Sequence, residues 1–415
     1  MKRALVAVVA VVAILALACV KKSAPASCDA PDKCAGILSI LDTGETRVEL
    51  IADGEGGAYA ALFGSGDSPT CVAGLVCHGA IWRLDATGHV RWTFDDGASV
   101  SAPFLIPGGV AWRTGDGALH AARSNGGFFW ASDAIGQNGL VATYAQGDVY
   151  AIGDKKVRRV DAESGVEVWS ASFLGDNPGV PVAMPDAEVL AMAYVGTNLE
   201  AKTFAVSDGA AGFDVLLPAN YSAPAAFSRP LGPILLVSDR LSLRTWNGDE
   251  IWGLDGEEGW RFVQPLDDGY AAAGPFGQRL TRVRYDGTVL WSTPDPAPVV
   301  WLSRAPDGEL LVGRNDGALD KLNVATGLLL WEYGGIAGVK APTPPLYTSQ
   351  GDIVFAGANV GADSDTHLTT ASPAGQQLER WDAGSRVVSF VITGNDDVWL
   401  ATASGKLYLR NGASL

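Results

Sequence analysis

The sequence predicts an all-β fold, a single β-propeller of four-stranded blades. Three observations carry that expectation. A hairpin motif recurs along the chain: a strand, a polar turn ending in Gly, then a strand closing on Trp, with Trp-to-Trp steps of 38, 39, 83, 39 and 40 residues. The segments between copies are short apolar runs separated by turn signals. No helical period appears after residue 36, and 51 Gly suit a fold rich in tight turns.

The first residues stand apart from the fold. Lys2 and Arg3 precede an unbroken run of Ala, Val, Leu and Ile from Ala4 to Ala18. A membrane span needs about 20 apolar residues, so this run reads as the core of a signal peptide. It ends in Leu15-Ala16-Leu17-Ala18-Cys19, which resembles a bacterial lipobox, with Ala16 where Leu is usual. Lipidation of Cys19 is the expectation, with plain cleavage near Ala18 as the alternative. Each buried acyl methylene would add about 0.8 kcal/mol of membrane affinity. Residues 19–36 contain the Lys-, Ser-, Ala-, Pro- and Asp-rich run Lys21 to Lys33 and have no hydrophobic period. The expected organisation is a signal peptide over 1–18, a lipid-anchored tether over 19–36 and a propeller over 37–415.

Apart from Cys19, the cysteines are Cys28, Cys34, Cys71 and Cys77. An even number in an exported chain points to disulfides. Cys28–Cys34 with Cys71–Cys77 is the simplest of the possible pairings and would pin two local loops. Zinc is the weaker reading, because none of His78, His89, His120 and His367 stands at ligand spacing to the pairs. The segment Cys71 to Cys77 encloses Val72-Ala-Gly-Leu75-Val76 and lengthens the first unit. It reads equally well as a stapled finger for a partner or as a packed hairpin.

The repeat begins at Trp82-Arg-Leu-Asp85-Ala-Thr-Gly88-His-Val-Arg-Trp92. It returns as Asn125-Gly-Gly127 to Trp130, Asp161-Ala-Glu-Ser-Gly165 to Trp169, Asn247-Gly248 to Trp252, Asp286-Gly287 to Trp291 and Asn323-Val-Ala-Thr-Gly327 to Trp331. A degenerate copy, Ser207-Asp-Gly209 through Phe213 to Leu216, fills the double step, and Gly375 to Trp381 is a stretched one. Asp-Gly and Asn-Gly supply the positive φ of tight hairpins. The Trp of each copy is expected to bury its ring between neighbouring blades; an exposed aromatic ligand cage is the alternative. Second strands of the blades are read at Ala58-Tyr-Ala-Ala-Leu62, Val110-Ala-Trp-Arg113, Val149-Tyr-Ala-Ile152, Val189-Leu-Ala-Met192, Ile234-Leu-Leu-Val237, Leu310-Leu-Val-Gly313, Ile353-Val-Phe-Ala356 and Val398-Trp-Leu-Ala401.

The last unit stops at Lys406-Leu-Tyr-Leu-Arg410, one strand short, and Ile37-Leu-Ser-Ile-Leu41 can supply it. Closure by pairing the N- and C-terminal strands would remove an exposed edge. Counting repeats favours nine units. Propellers usually have four to eight blades, so eight are expected, with nine as the alternative.

The pattern x-Leu-Asp-Ala-x-Thr-Gly-x-x-x-Trp resembles the pyrroloquinoline-quinone (PQQ)-type propeller repeat, most closely in Asp161 to Trp169 and Leu322 to Trp331. Two branches of that superfamily matter. Quinoprotein dehydrogenases hold a quinone and calcium, but their adjacent Cys-Cys pair has no counterpart here. The propeller lipoprotein of the outer-membrane barrel-assembly machinery is similar to this chain in length, acidity and lipobox. That resemblance implies an envelope lipoprotein at the outer membrane that binds proteins through rim loops, has no cofactor, and acts as a monomer.

The chain carries 46 acidic against 30 basic residues, a formal charge of −16. That disfavours nucleic acid and anionic membrane surfaces, leaving the lipid as the expected membrane contact. Nucleophile elbow, phosphate loop, dinucleotide fingerprint and zinc-protease motif are missing. Asp363-Ser-Asp365 offers hard oxygens suited to calcium, with a solvated loop as the simpler reading. The expectation is a non-enzymatic scaffold; a quinoprotein-like oxidoreductase and a carbohydrate-binding propeller are the alternatives.

Overall fold

The computed structural model describes residues 37–412, apart from 44–46, 64–78, 133–140, 146, 176–180, 185–187, 219–224, 229–233, 238–239, 246–248, 256–259, 275–278, 295–296, 317, 334–338, 341–343 and 360–365. All five cysteines and Asp363-Ser-Asp365 lie outside the described residues, as does the Asn247-Gly248 turn.

The described elements are strands, arranged in nine sheets. Eight are four-stranded, which meets the expectation of eight such blades. The remaining sheet has five strands and adds the ninth unit that the repeat count favoured. Blade 1 contains β2 (Val48–Ala52), β3 (Ala58–Leu62), β4 (Ala80–Leu84) and β5 (Val90–Asp95). Blades 2 to 7 follow the same up-and-down order over residues 100–131, 141–172, 182–218, 225–255, 262–293 and 299–333. Blade 8, residues 339–382, is the five-stranded sheet, with the short β31 (Leu346–Tyr347) added on β32 (Ile353–Asn359). Blade 9 joins β35 (Val387–Ile392), β36 (Val398–Thr402) and β37 (Lys406–Arg410) to β1 (Ile37–Asp42).

Ring closure is as expected. β1 pairs antiparallel with β37, from Ile37 opposite Arg410 to Asp42 opposite Lys406. Blade 9 then packs on blade 1, with Trp399, Ala401, Leu407 and Leu409 against Val48, Leu50 and Leu84 in one apolar cluster. Similar clusters join blade 1 to 2, 2 to 3, 3 to 4, 5 to 6, 6 to 7, 7 to 8 and 8 to 9. The core is therefore a series of thin layers between sheets.

That arrangement explains the apolar runs. A second strand has a neighbouring blade on each face, so alternation is lost: β3, β11 (Asp148–Gly153), β27 (Leu310–Arg314) and β36 are buried at every position. The seven second strands read C-terminal to Leu62 all occupy that place in their sheets. One was missed, β23 (Gly269–Ala273), whose Gly-Tyr-Ala-Ala-Ala is equally buried but has little bulk to read. Gly269 is required there because a Cβ would meet Val283 O at 2.0 Å.

Blade 4 holds a buried charge. Glu200, 1 % exposed, accepts a hydrogen bond from Leu174 N at 2.9 Å through Oε2. Its Oε1 has no partner among the described residues. Burial is the largest influence and raises the Glu200 pKa, outweighing the amides of Leu174 and Gly175 and the charge of Lys202; Asp214 adds to the rise. A carboxyl with a raised folded-state pKa takes up a proton on folding, so stability falls as pH rises from about 4.3 through the raised value. Glu200→Gln should therefore gain stability over the native chain at pH 7 and lose that advantage at pH 4. Urea midpoints for both chains at the two pH values check this; a gap independent of pH would refute it.

Candidate functional site

The repeated Trp residues are interlocking parts. Each sits on the outermost strand of its blade, and in six of them the indole Nε1 donates to a carbonyl in the outer turn of the next blade. Trp92 reaches Ser124 O at 2.9 Å, Trp130 Ala162 O at 2.8 Å, Trp169 Val206 O at 2.8 Å, Trp252 Tyr285 O at 3.0 Å, Trp291 Val324 O at 3.0 Å and Trp331 Pro373 O at 3.0 Å. The turn Gly lies on the ring. A Cβ at Gly126, Gly165, Gly209, Gly287, Gly327 or Gly375 would stand 2.6–2.7 Å from the indole of the preceding blade. These glycines have φ between +71° and +88°, so both conformation and space exclude a side chain. Gly and Trp of the motif thus act across blades, each Trp docking on the Gly of the following copy.

Burial is less complete than expected. Trp130, Trp169 and Trp381 are buried, whereas Trp92, Trp252, Trp291 and Trp331 are half-buried, since an outermost strand leaves one ring edge to solvent. Trp381 stands on β34 (Gln377–Asp382), next to blade 9, whose outer pair joins β1 to β37. The Arg410 guanidinium lies 4.8 Å from its ring, and Tyr408 meets it edge-on at 5.1 Å.

A second set of residues was not read from the sequence. Arg83, Arg159, Arg282 and Lys321 stand directly opposite Trp92, Trp169, Trp291 and Trp331 on the adjacent strand. Each donates to the same carbonyl as its Trp: Ser124 O, Val206 O, Val324 O and Pro373 O. Each also pairs with an acid in the first turn of its own blade, Asp53, Asp268 or Asp307, or just after it, Asp148. The available signal was a cation nine or ten residues before the Trp. Arg159→Leu is expected to lower the unfolding free energy by about 1.5–3 kcal/mol, the range for hydrogen bonds to charged groups. Urea denaturation measures this, and an unchanged midpoint would contradict it.

The described surface has a cleft of about 460 Å³ where blades 1 and 2 meet. Three turns and two strands form it: Asp53, Glu55 and Gly57; Asp85, Ala86 and Thr87; Ser124 and Asn125; with Arg83 on β4, and Arg91 and Trp92 on β5. Asp53 fixes its own turn, accepting from Glu55 N at 2.7 Å and Gly57 N at 2.8 Å. Arg83 spans the cleft floor between Asp53, Glu55 and the blade 2 turn. Asp85 accepts from Thr87 N at 2.8 Å and His89 N at 3.0 Å, and Arg91 Nε lies 2.7 Å from its Oδ2. Burial pushes the Asp85 carboxyl up, but the His89 and Thr87 hydrogen bonds and the Arg91 charge together hold it below the ordinary range.

Three carboxylates, two guanidinium groups and one indole edge line a polar cleft. The cleft lining contains no Cys, His, Ser–His pair or carboxylate dyad poised for nucleophilic or acid–base work. Among the described residues, no group of three or more His, Cys, Asp or Glu is placed to hold a metal.

A family model described as "Outer membrane protein assembly factor BamB" matches residues 72–214. No curated protein matches the chain. Among solved structures, BamB from Moraxella catarrhalis is 15 % identical with a TM-score of 0.52, covering 90 % of this chain and 99 % of that one. The designed protein Ika8 is 15 % identical with a TM-score of 0.57, covering 76 % and 96 %. A structure titled as the eukaryotic initiation factor is 10 % identical with a TM-score of 0.61, covering 88 % and 90 %. At these identities the structural likeness concerns the fold alone. The chain is a β-propeller, and its Gly-to-Trp repeat and the matched segment resemble the PQQ-like repeats of BamB.

Proposed function

We propose that this chain is a non-enzymatic lipoprotein of the cell envelope, a propeller scaffold that holds proteins together during outer-membrane protein assembly. The observation that carries the reading is the match of residues 72–214 to the BamB model, which begins after β3 of blade 1 and runs through blades 2 and 3 into blade 4. The interlock of Trp, Gly and Arg supports it as well: the repeated residues serve cohesion, and the turns on the rim remain for recognition. Cys19 anchors the chain, residues 19–36 act as its tether, and the propeller faces protein partners.

In-cell crosslinking followed by mass spectrometry of the captured membrane fraction tests the reading. The expected result is recovery of outer-membrane assembly proteins, reduced when Glu55 and Arg91 are both replaced by Ala. Recovery of no envelope protein, or dye-linked alcohol or sugar oxidation by protein loaded with quinone and calcium, would overturn it. Cys19→Ala should move the chain from the membrane to the soluble fraction.

A further inference from the structure

We infer that the outer edge of blade 7 is a docking site for an extended strand from a basic protein partner. This deepens the scaffold reading and rests on it. The outermost strand is β29 (Leu329–Tyr333), at the end of its sheet order, so one row of its backbone N–H and C=O groups has no strand beside it among the described residues. Natural proteins blunt such edges with Lys, Pro or inward charges. β29 does the reverse: its Leu329 and Leu330, and Leu328 just before it, are exposed by 52, 50 and 67 %. Among the described residues, no other outer strand together with the residue before it carries three consecutive exposed large apolar residues; at β13 (Glu167–Ser172), for instance, exposed Val166 and Val168 are separated by Glu167.

The surface continues onto blade 8. Tyr333 Oη donates to Gln377 Oε1 at 2.5 Å, beside Leu378, which is 47 % exposed. An unpaired edge flanked by apolar side chains takes an added strand through main-chain hydrogen bonds, and the side chains then set specificity. Charge selects the occupant. The only side chain on β29 charged at neutral pH is Glu332, and the whole chain carries −16. Two copies of this chain would repel, whereas a strand alternating apolar and basic residues would place a cation near Glu332 and apolar side chains over the leucines.

The probe is a short synthetic peptide alternating valine and lysine, with a valine–glutamate twin as control, measured by fluorescence anisotropy against the full chain. The expected result is binding of the lysine peptide at least about tenfold tighter than the glutamate twin, weakened by about tenfold or more in Leu328→Lys/Leu330→Lys. Val166→Lys/Val168→Lys, which adds the same charge on the outer hairpin of blade 3, should keep native affinity. Equal affinity for the leucine variant, equal affinity for the glutamate twin, or leucine-dependent dimerisation in sedimentation would each overturn the proposal. Thermal melts confirm that both variants fold. If the leucine variant still crosslinks to outer-membrane assembly proteins, the edge assignment fails and the scaffold reading stands; if the native chain captures none, the scaffold reading fails.

Discussion

Replacing Trp130 with Ala is expected to lower the unfolding free energy by about 3–5 kcal/mol, the range for truncating a buried aromatic. Trp130 is 3 % exposed and packs in the layer between blades 2 and 3 with Leu119, Val149, Ala151 and Val160. Its loss leaves a cavity there and removes the donor to Ala162 O. The carbonyl of Ala162 would then lack that bond at a site where Gly165 has no side chain to fill the gap. Trp331 makes the same bond from a half-exposed position, so Trp331→Ala should cost clearly less. Equilibrium urea denaturation with an unchanged slope would read both values. A Trp130→Ala loss below about 1 kcal/mol would mean that the layers are not held by these rings.

The contrast between Trp130 and Trp331 marks what was legible in the sequence. Hairpin chemistry is local: Asp85 or Asn323 caps its turn through the side chain, Gly follows with positive φ, and a strand begins. Those signals lie within ten residues and repeat, so hairpins, second strands and the pairing of the chain ends could all be read. How deeply each Trp is covered depends on the next blade and is not written near it. The Arg and Asp partners fall in the same class. Arg83 meets Asp53 thirty residues upstream and Ser124 forty-one downstream, and only the ring brings them together. The cleft is assembled from turns of two blades, none remarkable alone. β23 escaped for another reason: packing so close that Gly269 and three Ala are required leaves too little apolar bulk to signal a strand.

Starting the chain at residue 44 instead of residue 37 should have the other large effect, because it opens the ring. The deletion removes β1 and with it the whole register from Ile37–Arg410 to Asp42–Lys406. It also removes Thr43, which bonds Gly405 O through both its backbone N and its Oγ1 at 2.8 Å. Ile37 and Ile40 pack on the layer between blades 8 and 9, and Leu41 on the layer between blades 9 and 1. Removing three partly buried aliphatic side chains at roughly 1–2 kcal/mol each, together with an edge of main-chain bonds, predicts a loss on the order of 5 kcal/mol. The exposed β37 edge would carry Leu407, Tyr408 and Leu409 and should promote association. Chemical denaturation and light scattering, comparing chains that start at residues 37 and 44, measure both consequences. A synthetic peptide of residues 37–43 added in trans should restore part of the stability, since its partner strand is present and the native register is antiparallel. A shortened chain that melts with the longer one and stays monomeric would show that the apolar layers alone close the ring, with the terminal strand merely resting on it.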